Sequence, residues 1–236
     1  MPIIKTTDLT KILPQPTNAC PVILGITGRV ASGKTTLARQ LQQAYQQCWP
    51  ALNCVLVSTD DFLRSNAELQ RFQLSDKKGF PISYDKQLVW QFVMAIKHDQ
   101  AITLPTYNHA TNDIDRQAQK VVYQPDILII EGLMVLQPMF RQLLTSSLFL
   151  DVEPTDNYQW YLQRCSHLNL AGQQGLTWAE FEPRARRSWI EINERNFNEN
   201  VAPLRSLSAW QVHMNADHQL TWLEPSQSTV AAVAQA

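Results

Sequence analysis

Glycine is scarce in this sequence, with seven in 236 residues, less than half of the average share. An excess of either charge is also lacking, because 20 lysines and arginines face 21 aspartates and glutamates. Nucleic-acid and anionic-membrane partners usually require a basic excess. No stretch approaches the roughly 18 apolar residues of a membrane helix, and the first 15 residues lack the apolar core of a secretory signal. We therefore expect a soluble cytoplasmic protein without nucleic-acid or membrane partners.

Cysteine pairs are lacking as well. The four cysteines are scattered without a C-x-x-C motif, so we expect reduced, mostly buried thiols and no zinc site; they are Cys20, Cys48, Cys54 and Cys165. Hydrophobic residues make up 44% of the chain, which is enough to form a core and excludes wholesale disorder. The length predicts one domain over residues 1–224, followed by a loose tail over 225–236.

Three of the seven glycines fall within nine residues (25–33), which indicates unusual backbone there. An apolar run at 22–27 predicts a buried parallel strand, and apolar spacing over 34–47 predicts a helix. Between them, residues 28–35 read G-R-V-A-S-G-K-T. They fit the phosphate-loop pattern G-x-x-x-x-G-K-[ST] in the strand–helix context that this motif requires. The alternative is a chance match in an ordinary strand–turn–helix unit.

The predicted loop would bind the phosphates of ATP. Its successive N–H groups would point at phosphate oxygens, and the helix N-terminus would add partial positive charge. Lys34 would reach the β- and γ-phosphates, and the Thr35 hydroxyl would ligate Mg²⁺. The predicted ATP-binding residues are Gly28, Arg29, Val30, Ala31, Ser32, Gly33, Lys34, Thr35 and Thr36.

Strand and helix patterns alternate along the chain, which predicts a parallel sheet covered by helices. The predicted strands are 22–27, 53–58, 101–104, 121–123, 126–131 and 148–152, and the predicted helices are 34–47, 85–98, 139–144, 157–168 and 184–198. Pro105 is expected to stop a strand before a polar loop at 106–116. Residues 169–183 are interpreted as a mobile connection, and 210–214 with 220–223 as a hairpin. The predicted fold is an α/β, P-loop NTPase-type three-layer sandwich with a mostly parallel central sheet and a short helical lid at about 165–187.

Three acidic residues follow predicted strands, at the sheet edge where such folds bind ligands. Asp60 is interpreted as the catalytic base beside an acceptor hydroxyl, with helix capping as the alternative. Asp61 is interpreted as the cap or as a solvent-facing residue. Glu131 is assigned to metal or water coordination, with a hydrogen bond to nearby backbone as the alternative.

Arginines flank the connection that contains Gly172 and Gly175. Arginines on a closing lid can neutralise charge on a transferring phosphoryl group, and the candidates are Arg164, Arg184, Arg186 and Arg187. A solvated helix face is the alternative for the last three. The polar loop at 105–113 is only a weak signal by itself, and a structural role is the alternative for its His109.

Several longer segments run in the order found in one family. They are G-I-T-G-R-V-A-S-G-K-T-T-L-A-R (25–39), S-T-D-D-F-L (58–63), K-K-G-F-P-I-S-Y-D (77–85), P-T-Y-N-H (105–109), Q-P-D-I-L-I-I-E-G-L-M-V-L-Q (124–137), W-Y-L-Q-R (160–164) and W-I-E-I-N-E-R-N-F-N-E-N-V-A-P-L-R (189–205). Across about 22–205 the chain resembles the bacterial type I pantothenate kinases, within the phosphoribulokinase and uridine kinase group of P-loop kinases.

The resemblance implies ATP-dependent phosphorylation of pantothenate, a step of coenzyme A biosynthesis. Lys34, Asp60 and Arg164 would be the catalytic residues, while Thr35 and Glu131 would hold Mg²⁺. The implied pantothenate-binding residues are Tyr107, His109, Tyr161, Arg164 and Asn200. Lys34 and Arg39 match residues that also meet the phosphates of the feedback inhibitor coenzyme A. Members of the family are commonly homodimers.

The chain departs from the family pattern at several positions. Asp61 stands where the family usually has glycine, and the stretch from 151 to 189 is shorter. After Arg164, the family has phenylalanines that line its pantothenate pocket, whereas Cys165 and Leu168 occupy that region in this chain. Aromatic side chains would then have to come from elsewhere, and the candidates are Trp160, Trp178 and Phe181.

Other functions remain open from the sequence. Within the same class, the acceptor could be a nucleoside such as uridine, a sugar or glycerate. A nucleotide-binding switch or regulatory module without turnover is an alternative of another class, although the chain lacks the N-K-x-D of common GTPases and the L-S-G-G-Q of transporter ATPases. A relative that kept the fold and lost activity is disfavoured, because Lys34, Thr35, Asp60 and Glu131 are all present.

Overall fold

The backbone of the computed structural model, which describes residues 3–17 and 21–226, is organised around one large sheet. The described residues form β1 (Val22–Gly28), β2 (Cys54–Ser58), β3 (Ile102–Asn108), β4 (Asp113–Val122), β5 (Ile127–Glu131), β6 (Ser146–Val152), β7 (Trp210–Met214) and β8 (Leu220–Pro225). The main sheet has the order β2-β5-β1-β6-β7-β8, and β3 pairs with β4 in a separate two-stranded sheet. All neighbours in the main sheet are parallel except β7 and β8.

The helices of the described chain begin before β1 and continue between the strands. They are α1 (Thr6–Ile12), α2 (Lys34–Cys48), α3 (Asn66–Arg71), α4 (Lys86–Lys97), α5 (Pro138–Arg141), α6 (Pro154–His167), α7 (Leu170–Gln173) and α8 (Trp178–Ser188). After α8 the chain stays helical, with wider π-type turns at Trp189–Glu194 and Phe197–Val201. None of the described helices is long and apolar enough to span a bilayer.

Helices cover both faces of the main sheet. Every residue of β1 is buried, and its side chains alternate between two apolar clusters because successive side chains of a strand point to opposite faces. Leu24 and Ile26 pack in the cluster that includes α1 and α2. Ile23 packs in the cluster that includes α4 and Phe62. The three-layer α/β sandwich with a mostly parallel sheet is thus confirmed.

The segment around Pro105 differs from the prediction. Strand β3 does not stop at Pro105 but continues to Asn108, and most of the expected loop at 106–116 belongs to the β3–β4 hairpin. The register of the hairpin shifts between Pro105 and Thr106. A proline is tolerated there because it lies at a bulge in a two-stranded sheet, where a missing N–H breaks no central ladder.

The connection predicted at 169–183 is also wrong. It contains α7, and α8 begins at Trp178 and runs through Pro183. Thr177 and Glu180 form a capping box that starts α8 ahead of the proline. The carbonyl of Ala179, which loses its helical N–H partner at Pro183, belongs to an exposed residue.

The last strands of the described chain add to the sheet. The predicted hairpin of β7 and β8 is present, and β7 joins the main sheet beside β6. Pro225 pairs with Trp210, and Ser226 donates its N–H to the Ala209 carbonyl at 2.9 Å, so the part of the expected tail at 225–226 is structured. Residues 227–236 and Cys20 lie outside the described residues. Cys48, Cys54 and Cys165 are free thiols, of which only the first is exposed.

Candidate active site

The loop after β1 has the backbone that the phosphate-loop motif requires. Gly28 and Gly33 have φ of 148° and 89°, and Ala31 has φ of 58°. A Cβ at Gly28 would lie 2.4 Å from the Leu150 carbonyl oxygen. Gly28 is therefore needed partly because β6 passes so closely, and not only because a side chain would obstruct phosphate, as the sequence alone suggested.

Polar atoms inside the loop fit a bound phosphate chain. Ser32 is fully buried, and its hydroxyl has no hydrogen-bond partner, so an incoming oxygen would satisfy it. Lys34 is buried, and its Nζ donates to the Arg29 carbonyl at 2.5 Å. Burial lowers the pKa of Lys34, while the charges of Glu131 and Asp60 oppose that shift.

Two oxygen ligands suitable for Mg²⁺ meet at the edge of the sheet. The Thr35 hydroxyl donates to Oε1 of Glu131 at 3.1 Å, and Glu131 is almost fully buried at the end of β5. Burial raises the pKa of Glu131, against the opposing effects of Lys34 and hydrogen bonds from Ser58 and Thr35. Mg²⁺ in phosphoryl-transfer sites commonly has only one or two protein ligands besides phosphates and water, so this pair fits the ion.

Asp60 lies beside this pair, on a 3-10 turn at Thr59–Phe62 that directly follows β2. The turn approaches the end of β5 very closely, since a Cβ at Gly132 would lie 1.9 Å from the Thr59 hydroxyl oxygen. Burial raises the pKa of Asp60, and the nearby Lys34 opposes the shift. A carboxylate with a raised pKa beside a phosphate loop is suited to accept a proton from an alcohol.

Asp60 and Asp61 differ in whether their side chains cap this turn. The Asp60 N–H donates to the Ser58 hydroxyl at 3.3 Å, whereas the Asp61 carboxylate accepts the Ser58 N–H and completes the capping box. Asp61 is 2% exposed. Capping is therefore a role of Asp61, and its solvent-facing interpretation is wrong.

A cavity of about 750 Å³ opens next to Asp60. Four of the predicted substrate or catalytic residues line it together with Asp60, namely Tyr107, His109, Tyr161 and Arg164. The β3–β4 hairpin supplies the first two and α6 the last two. The structure thus brings together residues that are about 100 positions apart in the chain. A second groove of about 520 Å³, at the start of β6, contains none of them.

Arg164 and His109 meet across the cavity. A guanidinium nitrogen of Arg164 lies 3.0 Å from His109 Nδ1, and the His109 ring lies edge-on to Tyr107 at 5.0 Å. Burial and the Arg164 charge lower the pKa of His109, which favours a neutral ring whose Nδ1 accepts from arginine. Arg164 is then held over the cavity with donors left for a ligand.

Not all predicted residues line the cavity. Asn200 is one step removed, because its side-chain amide donates to Asn196 Oδ1 at 2.9 Å and it is Asn196 that lines the cavity. Of the three lid arginines, Arg184 lines the cavity, and Arg186 and Arg187 do not. The solvated-face interpretation is therefore right for those two, which are both exposed.

One of the three candidate aromatic residues lines this cavity. Phe181 does so together with Cys165 and Leu168. Trp178 packs against Phe181 with ring centroids 5.7 Å apart but does not line the cavity. Trp160 is buried in the core beside α2 and stacks on His218.

Sequence reasoning missed Lys78 and Asn196. Lys78 lines the cavity, and its Nζ donates to Asn66 Oδ1 at 2.7 Å. Burial lowers its pKa, which the charges of Asp113 and Asp60 oppose. Asn196 donates to the Gly79 carbonyl at 2.8 Å. Both lie inside segments that carried the family resemblance, and this was the available signal.

Arg29 joins the phosphate loop to the helix after α8. Its guanidinium forms an ion pair with Glu194 and lies 3.8 Å above the Phe197 ring. The next loop residue is held from another side, because Asn157 donates to the Val30 carbonyl at 2.9 Å. The loop is thus braced by α6 and by the helix after α8, two elements that also supply lining residues of the cavity.

The fold and this site define the class of protein: a P-loop kinase, with a phosphate loop at one side of a cavity and a buried carboxylate between them. The family model described as "Phosphoribulokinase / Uridine kinase family" matches residues 23–167. The chain belongs to this family. The family implies ATP as the phosphoryl donor, typically with Mg²⁺, and a small-molecule acceptor.

The curated relatives include pantothenate kinases of several bacteria. The chain is 37% identical over 231 residues to a pantothenate kinase of Clavibacter michiganensis subsp. michiganensis, covering 90% of this chain and 72% of that protein. It is also 37% identical over 215 residues to a pantothenate kinase of Lactiplantibacillus plantarum, covering 84% of this chain and 70% of the relative. The resemblance seen in the sequence is thereby confirmed.

A solved structure supports the fold alone. The D-glycerate 3-kinase from Cryptococcus neoformans var. grubii superposes with a TM-score of 0.63, covering 93% of this chain and 95% of that one. Its sequence identity is 16%. At this identity the likeness shows the shared architecture and carries no argument about the acceptor.

Proposed function

We propose that this protein transfers the γ-phosphoryl group of ATP to the primary hydroxyl of pantothenate, with Mg²⁺, giving 4′-phosphopantothenate for coenzyme A biosynthesis. The observation that carries the proposal is the position of Asp60, between Lys34 of the phosphate loop and a cavity lined by Tyr107, His109 and Arg164. The names of the curated relatives support pantothenate as the acceptor.

Different residues of the chain have different roles in the proposed reaction. The loop at 28–36 holds the triphosphate, and Lys34 offsets charge on the group in transfer. Asp60 accepts the hydroxyl proton and aims the oxygen at the terminal phosphorus. Arg164 completes the charge clamp from the acceptor side. Tyr107, His109 and Tyr161 bind the acceptor, and Asn200 acts through Asn196.

Mg²⁺ would be held by Thr35 and Glu131, where it would neutralise phosphate charge. The two side chains lie close enough to hydrogen-bond to each other, at 3.1 Å. The helices α7 and α8, within the predicted lid at about 165–187, would exclude water from the cavity when a ligand is bound.

The deciding experiment measures ADP release with a panel of acceptors that contains pantothenate, uridine, D-glycerate and fructose. We expect turnover with pantothenate at least tenfold faster than with any other acceptor. Thermal shifts with a non-hydrolysable ATP analogue form a second arm, because a ligand that binds the native state raises the melting temperature. Turnover with uridine or D-glycerate and none with pantothenate would overturn the acceptor assignment.

Regulation and assembly follow from the family resemblance as further proposals. Coenzyme A would compete with ATP at the phosphate loop, with Lys34 and the exposed Arg39 on its phosphates, and the chain would form a homodimer. Inhibition that ATP relieves, and the mass of the particle in solution, test these two points. The expected cytoplasmic location stays a prediction.

A further inference from the structure

Asp61 is a buried carboxylate that the proposed chemistry does not use. Its side chain is 3% exposed, although charged side chains are rarely buried unless they are paired. Its burial therefore calls for an account.

Three donors from three separate elements surround this carboxylate. The Ser58 N–H at the end of β2 donates to Oδ2 at 3.3 Å, and the Tyr107 N–H of β3 donates to Oδ1 at 2.8 Å. The Lys120 Nζ of β4 lies 2.6 Å from Oδ2. The charge is compensated, and both oxygens are used.

The two contacts that Asp61 makes with the β3–β4 hairpin, to Lys120 and to Tyr107, lie on opposite sides of a register shift between the two strands. Lys120 pairs with Leu104 just before the register shift between Pro105 and Thr106, and Tyr107 follows the shift. The ladder of the hairpin is interrupted here, because Pro105 lacks an N–H and the pairing shifts register after it. The Asp61 carboxylate bridges the break and ties it to the turn that carries Asp60.

We propose that Asp61 is a positioning residue, which holds the hairpin wall of the acceptor cavity, and with it Tyr107 and His109, in register with the catalytic Asp60. This inference rests on the proposed kinase function. It predicts that Asp61 controls how the acceptor is bound and aimed while the phosphate loop is unaffected. Misplacement of an acceptor by about 1 Å can cost on the order of 100-fold in rate.

The test compares four variants of the full chain: Asp61→Ala, Asp61→Asn, Lys120→Met and the double variant Asp61→Asn with Lys120→Met. Asparagine offers one acceptor oxygen and turns its amide donors toward Lys120, so D61N is not a neutral replacement. We expect kcat/KM for the acceptor to fall about 10- to 100-fold in both Asp61 variants and severalfold in K120M. The KM for ATP should stay within about twofold.

The double variant checks that the two residues act together. Because Lys120 has no charge partner once Asp61 is replaced, the double variant should be no worse than D61N alone. Arg116→Met is the matched control: Arg116 lies on the same β4 strand but pairs with Glu68, at 3.2 Å and away from Asp60. It should leave both KM values and kcat unchanged.

A second readout does not depend on activity. Amide hydrogen exchange should show lost protection at Tyr107 in D61A, with β1 and β5 still protected, and no change in R116M. If Asp61 only stabilised the fold, the melting temperature would fall while kcat and both KM values stayed normal, and the inference would be overturned. Equal losses for ATP and acceptor would also overturn it.

The kinase proposal and this inference can fail separately. Absence of turnover with every acceptor in the wild-type chain defeats the proposed function, and the exchange experiment then decides whether Asp61 holds the hairpin. Should D61A fail to fold, K120M carries the test, since it leaves both N–H bonds to Asp61 in place. Unchanged acceptor kinetics and unchanged exchange in K120M would count against the inference.

Discussion

The phosphate side and the acceptor side of this site are built in opposite ways. The phosphate side consists of the end of β1, its loop and the start of α2, which are adjacent in the chain and packed into the sheet. The acceptor side is assembled from the β3–β4 hairpin, α6 and α8, and much of it is polar and partly exposed. A phosphate site built from adjacent residues can be recognised locally in the sequence, whereas an acceptor pocket depends on how distant segments meet. Substitutions on each side, and at the boundary between them, should therefore have different effects.

The largest effect is expected where the two sides meet, at Asp60. Asp60→Asn should lower kcat by about 10²- to 10⁴-fold, because the amide cannot accept the hydroxyl proton. Binding of an ATP analogue, measured by calorimetry, should be unaffected. Asp99→Asn, at an exposed turn before β3, is the control. Near-normal turnover in Asp60→Asn would remove the base from the mechanism.

A smaller effect is expected from the acceptor side alone. Arg164→Ala should lower kcat about 100-fold, as removal of one preorganised donor to a charged transition state does. The matched variant is Arg187→Ala, because Arg187 is exposed and lies off the cavity. Steady-state kinetics with varied acceptor check the pair. Similar losses in both variants would mean that position on the cavity does not matter.

Acidity should affect the reaction through Asp60. Burial raises the pKa of Asp60 above its ordinary value of 3.8, and the base must be ionised to act. We therefore expect kcat/KM to fall as the pH is lowered through this raised pKa, by about tenfold per pH unit at the acid end. Burial raises the pKa of Glu131 as well. The fall of kcat/KM at low pH, the acid limb of the profile, therefore reflects the protonation of both carboxylates.

The control for this profile is Asp60→Asn, whose residual activity should lose the Asp60 part of the acid limb. An acid limb below about pH 4 in the wild-type chain would contradict a base with a raised pKa. The profile is measured by ADP release at saturating ATP across a series of buffers at constant ionic strength.

The smallest effect is expected where the phosphate loop is braced. Arg29→Met removes the ion pair to Glu194 and the contact with the Phe197 ring. We expect the KM for ATP to rise about threefold to tenfold, in line with a partly desolvated cation–π contact. Arg195→Met is the comparison, because Arg195 pairs with the exposed Glu199 at 2.7 Å. If only the KM for the acceptor changed, Arg29 would support the acceptor cavity and not the phosphate loop, and this prediction would be contradicted.

Local patterns predicted most of the sheet but failed at two prolines. The buried strands β1 and β5 could be predicted from apolar runs in the sequence, because both faces of a central parallel strand are covered. Pro105 was expected to stop a strand, and Pro183 was placed at the end of a mobile connection over 169–183. Strand β3 runs through the first proline and α8 through the second. A proline ends an element only where its missing N–H would leave a ladder broken. A bulge and an exposed helical turn do not impose that cost.

The site was predicted unevenly for a similar reason. Lys34, Thr35, Asp60 and Glu131 follow strands whose ends meet at one edge, so their assembly could be inferred. Asn196 could not be distinguished from Asn200, because both lie four residues apart on one helical face and only packing shows which reaches the cavity. The choice of Arg184 over Arg186 and Arg187 likewise depends on the direction of α8.

What the sequence determined by itself is the short-range part of this protein: a glycine-dependent turn between a buried strand and a helix, with its lysine and threonine in sequence. Such a turn depends on backbone angles and spacing, which neighbouring residues set. The tertiary structure alone decided that the Asp61 carboxylate meets Lys120 and Tyr107, and that Arg164 meets His109. Those contacts span about 45 to 60 positions of chain, and only the packing of whole elements determines which distant side chains share a cavity.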